Sequence, residues 1–397
     1  MNSQNLFSRS QYGFRQGLST ISAVTEVVNQ ALLAFDNKET VSLALYDLSK
    51  AFDCVPYESI IKKLKYYGLS NSSLKIISSY LKDRKQYVYV DGKHSCMLEI
   101  EKGVPQGSIL GPLFFIIVIN DLPSNVSVNS IIYADDTTLI GRGRLDGELQ
   151  ESMQLAEQQA TNWFSVNSLL CNNDKTQYLN ISLTDSAENN KHVKLLGIHI
   201  DSRLNWGVHI DNVCKKISRV SYLIWKLKGY VSTTYLRTAY FGFFQSQIAY
   251  GLILWGHSSH INSILLIQKK VLRTICGAGQ LDHCRPLFIQ LKILTVINLY
   301  IFQILTYTKI NLEKFKLRHD VHDHYTRGNY KLDMPQHRLT KLGNSHLINC
   351  IKFFNKLPIS AKEVSINVFK NQLLNWLLVH PFYSIAEFLS EDISLEF

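Results

Sequence analysis

The sequence has 397 residues, of which 46% are hydrophobic and 19% are charged. This composition is typical of a globular chain of two to three domains, and it excludes a mainly disordered or collagen-like protein. The seven cysteines are scattered and form no C-x-x-C pair. They therefore argue against a disulfide framework or a zinc ribbon and favour a reducing, intracellular setting.

The net charge of +10 is distributed unevenly along the chain. Residues 1–205 carry 19 Lys and Arg against 21 Asp and Glu, a net charge of −2. Residues 206–397 carry 23 against 11, a net charge of +12. This excess favours a nucleic acid over a membrane as the partner of the C-terminal half, and a well-solvated basic surface is the alternative.

The first 205 residues alternate between strand-like and helical patterns, which indicates a mixed α/β region. Short apolar runs and the Asp91-Gly92 turn predict strands and hairpins over Thr40–Leu48, Gln86–Glu101, Ser130–Ile140 and Lys194–Asp201. Helical patterns begin at Pro56, ending before Gly68, and extend over Asp146–Leu169.

From Trp206 onward, long helical patterns dominate and no repeat appears. The predicted helices are His209–Tyr230, Thr233–Trp255, Ile261–Cys276, Pro286–Tyr307, Leu347–Leu357 and Ser365–Leu378. The apolar stretch Leu236–Gly256 contains Arg237 and a polar run, so we expect a buried helix and no membrane partner. The less periodic residues 312–345 are predicted to be a linker or loop.

Two acidic elements suggest a metal site. Asp135 and Asp136 lie at the tip of a predicted hairpin, where their charges repel unless a cation lies between them. Asp47 ends the strand TVSLALYDL and could face the same site. Carboxylate oxygens suit Mg²⁺, and two such ions would support in-line phosphoryl transfer. The string Tyr133-Ala134-Asp135-Asp136 alone is more simply interpreted as a solvated turn.

A Gly- and Pro-rich segment, Lys102–Pro112, lies between the acidic elements. Its glycines permit close approach of the backbone to a ligand, and amides at the start of the following helix can bind an anion. By itself such a segment is most often an ordinary turn.

Together these elements resemble the reverse transcriptases of non-LTR (LINE-type) retrotransposons, especially the Jockey-like insect group. The ordered matches are SQYGFRQGLST, ALYDLSKAFDCV, KGVPQGSILGPLFFIIVINDLP, IIYADDTTL, NSLLCNNDKT and KLLGIHID. Further similarity continues through LNWGVHI, LRTICGAG and DHCRPLF. Six motifs in order are far more specific than any single one.

The resemblance implies an α+β fold, that of a right-hand polymerase. It would consist of partial fingers and a palm with an antiparallel sheet (residues 1–205), an all-α thumb (206–310), and a linker with a C-terminal helical region (311–397). The implied function is that of an RNA-directed DNA polymerase, with two Mg²⁺ ions, or Mn²⁺ as a substitute. The implied partners are an RNA template, a DNA primer or target and dNTPs, in the nucleus and cytoplasm.

The resemblance also assigns roles to individual residues. Asp47, Asp135 and Asp136 would bind the metal ions, with a backbone carbonyl from Leu48, and Lys175 would protonate the departing pyrophosphate. An exposed lysine without a role remains the alternative for Lys175.

The roles toward the nucleotide and the primer come from the same motifs. Phe52 would exclude a ribose 2′-hydroxyl, although a core phenylalanine is the simpler reading without the motif. The other assigned contacts are Gln106 and Gly107 for the incoming nucleotide, Arg15 for template or triphosphate, Tyr133 near the primer terminus, and Leu196 and Gly197 for gripping the primer end.

The predicted helix after Trp206 supplies basic residues for phosphates, Lys215, Lys216, Arg219 and Lys226. Tyr222 and Trp225 share this helix, but aromatic residues at helical spacing more often belong to the core. Cys276, His283 and Cys284 lack the spacing of a zinc site, so we expect no zinc.

The sequence begins inside the fingers of the implied fold, which predicts an N-terminally truncated element. Two alternatives to an active polymerase therefore follow. One is a catalytically inactive, nucleic-acid-binding remnant. The other is an RNA-dependent RNA polymerase, which Phe52 and the ADD rather than GDD tip disfavour.

Overall fold

A computed structural model describes residues 6–144, 147–183, 191–318 and 331–392 of the chain. The chain forms two compact units, which are a mixed α/β unit and a helical unit. The first comprises Met1–Gly197 with Asp201–Arg203, and the second comprises Ile198–Ile200 with Leu204–Phe397.

The first unit contains helices and antiparallel strands. The helices are α1 (Thr20–Asp36), α2 (Ala51–Cys54), α3 (Tyr57–Tyr66), α4 (Asn71–Leu81), α5 (Leu110–Ile119) and α6 (Gly147–Val166). The strands are β1 (Thr40–Tyr46), β2 (Leu48–Ser49), β3 (Arg84–Gln86), β4 (Tyr89–Val90), β5 (Lys93–His94), β6 (Leu98–Ile100), β7 (Asn129–Tyr133), β8 (Asp136–Gly143), β9 (Leu170–Cys171), β10 (Gln177–Ile181) and β11 (His192–Leu195).

A four-stranded antiparallel sheet in the order β10-β1-β8-β7 organises this unit. Strand β1 is central, and its Leu43 lies opposite Leu179 of β10 and Ile140 of β8. Every residue of β1 except Ser42 is buried, as expected for a strand covered on both faces. Helices α1 and α6 pack against the sheet, and the buried helix α5 joins α6 in the main core cluster.

Most predicted elements of the first unit are confirmed. The DG turn joins β4 to β5 inside the predicted hairpin, and Gly68, with a φ of 85°, follows α3. Pro56 precedes the first turn of α3 as its N-cap rather than lying within it. Asp146, where the second helix was predicted to begin, lies outside the described residues.

The second unit includes Ile198–Ile200 of strand β12 (Ile198–Asp201) and is otherwise mainly helical. Its helices are α7 (Gly207–Leu227), α8 (Thr233–Ala239), a π-helical segment (Tyr240–Gln245), α9 (Ser246–Ala249), α10 (Leu252–Trp255), α11 (Ile261–Cys276), α12 (Arg285–Leu291), α13 (Val296–Ile310), α14 (Thr340–Gly343), α15 (His346–Lys356), α16 (Ile359–Glu363), α17 (Ile366–Val379) and α18 (Ile385–Ser390).

A buried glutamine connects three parts of the helical unit. The Gln268 side-chain amide on α11 donates to the Tyr240 hydroxyl at 2.7 Å and to the Leu294 carbonyl at 2.9 Å. Its oxygen accepts the amide of Val296 at 2.9 Å. Because these bonds satisfy a fully buried polar side chain, they fix the packing of the π-helical segment and the start of α13.

Three elements that the sequence predicts as continuous are interrupted. The strand Lys194–Asp201 divides at Leu196 and Gly197, whose φ angles are 47° and 85°. The helix Thr233–Trp255 contains the π-helical segment and then breaks before Gly251, whose φ is 64°. The helix Pro286–Tyr307 divides after Lys292, whose φ is 51°. Hydrophobic periodicity does not reveal a single left-handed residue, so these breaks are invisible to it.

Among the described residues, no single helix combines the length and apolar character needed to cross a membrane. The pair α12 and α13 reaches that length and composition only when its two helices are taken together, across a bend of 58°.

Acidification is expected to destabilise the helical unit, because three histidines with lowered pKa values must take up protons when it unfolds. Burial lowers the pKa of His209 and of His257 to about 4 and that of His346 to about 3, with smaller contributions from neighbouring charges. Between pH 6.5 and those values the unfolded chain binds more protons, so the free energy of unfolding falls as pH falls. The expected loss is about 1 kcal/mol per pH unit for each histidine.

Denaturant unfolding followed by tryptophan fluorescence between neutral pH and about pH 5 measures this effect. Replacing His209 with Gln should flatten the pH dependence, whereas replacing the exposed His260 with Gln should leave it unchanged. A free energy of unfolding that is constant over this range would contradict the prediction.

Candidate active site

Strand pairing brings the predicted acidic residues toward one place. In the antiparallel pair of β1 and β8, Tyr46 lies opposite Thr137. Continuing this register by one residue places Asp47 beside Asp136. Ala134, with a φ of 57°, and Asp135 form the two-residue turn from β7 into β8.

The pKa values of the turn carboxylates reflect this proximity. Protein atoms remove enough water from the partly exposed Asp136 to raise its pKa to about 6, and the charges of Asp135 and Asp47 act in the same direction. Desolvation also raises the pKa of Asp135, a backbone hydrogen bond opposes it, and the charge of Asp47 adds to it. The structure thus brings all three carboxylates within electrostatic reach of one another.

Lys175 reaches the same site through a second pairing. Leu48 of β2 lies opposite Cys171 of β9, and the amide of Asn172 donates to the Asp47 carbonyl at 2.9 Å. The turn that follows places Lys175 Nζ 3.1 Å from Asp47 Oδ2. Because the two side chains are 65% and 40% exposed, this ion pair is weak and readily exchanged for another partner.

A cleft of about 430 Å³ opens beside these residues. Asp47, Asp136 and Lys175 line it, together with Asp174, Lys194 and Leu196. The sequence motifs do not single out Asp174 or Lys194 as site residues. Their only signal is position, since Asp174 precedes Lys175 in NNDKT and Lys194 opens KLLGIHID.

The segment before α1 supports the acidic turn from behind. The amide of Tyr12 donates to the Ile132 carbonyl at 2.7 Å, so the segment runs alongside β7. A Cβ atom on Gly13 would lie 2.4 Å from the Ala134 nitrogen, which explains the glycine at this close approach. The buried Gln11 accepts the amide of Gly13 at 2.7 Å. The sequence motif contains Gln11 but gives no signal for this supporting contact.

The Arg15 side chain folds back onto this same segment and hydrogen-bonds to its backbone. Its guanidinium donates to the carbonyl oxygens of Ser8 at 2.8 Å and Gln11 at 3.3 Å. In this arrangement it braces the loop, and its contact with template or triphosphate remains a prediction.

The Gly- and Pro-rich segment is anchored to the residues after Asp47. The amide of Val104 donates to the Phe52 carbonyl at 2.7 Å. Gly103 has a φ of 93°, and a Cβ there would lie 2.8 Å from the Asp53 carbonyl oxygen. The Gln106 amide donates to Asp53 Oδ1 at 2.8 Å. The two motifs are therefore neighbours, and Gln106 is oriented by Asp53.

The remaining predicted residues of the first unit lie around these elements. Phe52 is half-buried, stacks on Phe115 at a centroid distance of 4.5 Å and meets Phe14 edge-on at 6.4 Å. Leu48 is buried, and the half-buried Tyr133 ends β7. Gly107 is exposed with a φ of 77°, and Leu196 lines the cleft just before Gly197.

The predicted basic residues lie in the second unit, on α7. Lys215, Lys216, Arg219 and Lys226 are all exposed. Tyr222 and Trp225 are also 61% and 55% exposed, which corrects the expectation that aromatic residues at this spacing belong to the core. Their rings lie 5.7 Å apart, and Lys226 Nζ lies 5.0 Å from the Trp225 ring.

The carboxylates fit a divalent cation by their chemistry. Within residues 6–144, 147–183, 191–318 and 331–392, no three His, Cys, Asp or Glu side chains are arranged as ligands of one metal ion. Asp47 is instead paired with Lys175. The carboxylate oxygens are nevertheless suitable Mg²⁺ ligands, and a cation would relieve the repulsion that adds to desolvation in raising the pKa of Asp136.

The chain is similar in sequence to polymerases of retrotransposons. The chain is 31% identical over 308 residues to the RNA-directed DNA polymerase from mobile element jockey of Drosophila melanogaster, covering 71% of this chain and 33% of the relative. It is 28% identical over 325 residues to the probable RNA-directed DNA polymerase from transposon X-element of the same fly, covering 75% and 35%. The chain thus spans about a third of the length of the curated relatives it matches.

Among solved structures, the telomerase of Candida albicans in complex with a TWJ fragment of telomeric RNA is 13% identical. The match covers 93% of this chain and 53% of that chain with a TM-score of 0.42, too low to support a conclusion. The model of the family described as reverse transcriptase (RNA-dependent DNA polymerase) matches residues 1–200. With half of its length matched by that family and Jockey-type relatives over 71% of it, the chain belongs to the reverse transcriptases.

Proposed function

We propose that the chain catalyses RNA-directed DNA synthesis. In this reaction the 3′-oxygen of a DNA primer attacks the α-phosphorus of a dNTP paired to an RNA template. The new P–O bond forms as the bond to pyrophosphate breaks. The observation that carries the proposal is the convergence of Asp47, Asp136 and Lys175 on one cleft of the first unit, with Asp135 next to Asp136 in the adjoining turn.

Asp47, Asp135 and Asp136 would hold Mg²⁺, with Mn²⁺ as a possible substitute and the Leu48 carbonyl as a further ligand. The bound ions would stabilise negative charge on the attacking and leaving oxygens. The pairing of β1 with β8 would bring the carboxylates close enough to bind the ions together. The mutual repulsion of the carboxylates makes the site favourable for cations.

Lys175 is proposed as the proton donor to pyrophosphate. Its ammonium already lies in the cleft, where it is held only by a weak pair with Asp47. A cation bound by Asp47 would free the lysine to turn toward the departing phosphates. Its exposure keeps it supplied with protons from solvent.

The nucleotide is proposed to meet the residues around the Gly- and Pro-rich segment. Phe52 would lie under the sugar, held by its stacking on Phe115. Gln106, oriented by Asp53, and the exposed Gly107 would contact the nucleotide. Arg15 would contact template or triphosphate, and Tyr133 would lie near the primer terminus.

We assign contacts with the template and the primer to the remaining site residues. Leu196 and Gly197 would grip the primer end from the rim of the cleft. In the second unit, Lys215, Lys216, Arg219 and Lys226 would meet backbone phosphates, beside the exposed rings of Tyr222 and Trp225.

The proposed arrangement is that of a right hand. Residues 1–205 would form partial fingers and palm, residues 206–310 the thumb, and residues 311–397 a linker with a C-terminal helical region. The alternative function is that of an inactive nucleic-acid-binding remnant. The net charge of +12 on residues 206–397 favours it, because this charge would attract RNA even if the chain catalysed no reaction.

Replacing Asp135 with Asn is expected to reduce dTTP incorporation on poly(rA)/oligo(dT) by at least about a hundredfold, because a charge that holds the cation is lost. RNA affinity should change little. Primer extension with Mg²⁺ and with chelator, beside a filter-binding assay, measures both. The matched control is Asp91→Asn, at the DG turn away from the cleft.

Binding of template–primer without extension by the unaltered chain would favour the inactive remnant. Incorporation of UTP rather than dTTP would indicate an RNA polymerase. Equal extension by Asp135→Asn and the unaltered chain would contradict the catalytic assignment.

Replacing Phe52 with Ala is expected to admit ribonucleotides, since the ring that would clash with a 2′-hydroxyl is removed. The ratio of kcat/KM for dTTP to that for UTP should fall by at least about tenfold, or about 1.4 kcal/mol. Phe14→Ala removes a neighbouring ring that is 58% exposed and serves as the control. An unchanged ratio in Phe52→Ala would count against the sugar-selecting role.

A further inference from the structure

A second cleft, in the helical unit, has no role in the proposed reaction. Its volume is about 500 Å³, and it lies beside α11 and the segment leading into α12. The segments LRTICGAG and DHCRPLF both contribute to it, through Arg273 and Arg285 among others. Lys269 and Tyr383 also line it.

The aromatic ring of Tyr383 contacts two of the cations. Lys269 Nζ lies 3.6 Å from the centroid of its ring, and the Arg285 guanidinium carbon lies 4.7 Å from it. Arg285 donates to both carboxylate oxygens of Glu387 at 3.0 Å. Glu387 in turn accepts the amide of Tyr383 at 2.9 Å. The aromatic ring and the carboxylate together fix where Arg285 points.

Arg273 is fixed from the other side. Its Nε and Nη2 both donate to the backbone carbonyl of Asp282, at 3.0 and 2.8 Å. The carboxylate of Asp282 accepts the amide of Gly279 at 2.8 Å. Arg273 is therefore held by a neutral group, and its charge remains available to a ligand.

Of the three cations, Lys269 has the fewest hydrogen-bonding partners for its charged group. It is half-buried, and among the parts of the chain that the structure describes, its ammonium has no hydrogen-bond acceptor or ion-pair partner. Burial lowers its pKa, Arg273 and Arg285 act in the same direction, and Cys284 and Glu387 act in the opposite direction. An anion placed between these cations would supply the missing acceptor.

We propose that this cleft binds a phosphate group, and that the phosphate belongs to the backbone of a single-stranded nucleic acid. The volume lies within the range of sites that take small ligands. Cations of fixed position can donate to the phosphate oxygens of such a backbone, and a basic groove with aromatic side chains is typical of proteins that bind single strands. The site uses none of the α7 residues, and it does not depend on polymerase activity.

The test is binding of a fluorescein-labelled oligouridylate to the full chain, measured by anisotropy over a range of salt concentrations. Replacing Lys269 with Gln should lower the slope of log K against log[salt] by about 0.7, the value for one phosphate contact on a single strand. Near 0.1 M salt this corresponds to an affinity roughly fivefold weaker. Lys269→Arg should retain most of the affinity, because it preserves the charge.

Lys314→Gln removes an exposed lysine outside the cleft and is the matched control. Circular dichroism checks the folding of each variant, and Lys269→Met replaces the Gln variant if the latter does not fold. A purely structural role for Lys269 would change thermal stability without changing the salt slope. Equal slopes for the unaltered chain and the Lys269 variants would overturn the proposal.

A calorimetric titration with inorganic phosphate separates the two sources of the phosphate. Phosphate binding that is lost in Lys269→Gln, together with a reduced oligouridylate slope, supports the proposal. Loss of phosphate binding with an unchanged oligouridylate slope overturns the nucleic-acid assignment and identifies a site for free phosphate. Because neither measurement requires DNA synthesis, failure of the proposed polymerase activity would leave this test intact.

Discussion

The antiparallel pairing of β1 with β8 is the constraint on which the candidate site depends. Asp47 and Asp136 are far apart in sequence, and only the register that sets Tyr46 opposite Thr137 makes them neighbours. A slip of one residue would turn every side chain of β1 to the other face of the sheet. The burial of both faces of β1 makes such a slip costly, so the hydrophobic core also sets the position of the carboxylates.

The loops around the site are fixed by close backbone contacts. Gly13 allows the segment before α1 to reach the acidic turn, and Gly103 allows the Gly- and Pro-rich segment to reach Asp53. Larger residues would collide with main-chain atoms at both positions. The motifs that are distant in sequence therefore support one another, and Gln106 and Lys175 remain exposed while bonded to Asp53 and Asp47.

The fold of the first unit is largely predictable from sequence because its signals are local. Alternating hydrophobic residues and the DG turn predict the hairpins, and Asp47 can be placed at a strand end. What sequence cannot provide is the pairing between distant strands, which rests on long-range packing. The pair between Lys175 and Asp47 depends on it, and so do the contacts of Gln11. The resemblance identifies the motifs but not these contacts.

The helical unit is less predictable for a different reason. Periodicity locates its helices, but the breaks at Gly251 and Lys292 depend on one residue each. Tyr222 and Trp225 fit the helical spacing of a core yet are exposed. The cation cluster around Tyr383 combines residues from α11, α12 and the segment before α18, and no local pattern indicates it.

The shared cation site of Asp47 and Asp136 is the central claim, and Mn²⁺ binding followed by electron paramagnetic resonance tests it most directly. Asp47→Asn and Asp136→Asn are compared singly and together. If one site is shared, each single variant loses at least about tenfold in affinity, and the double variant loses little more than either. Unchanged Mn²⁺ affinity in both single variants, or losses that simply add, would contradict the account.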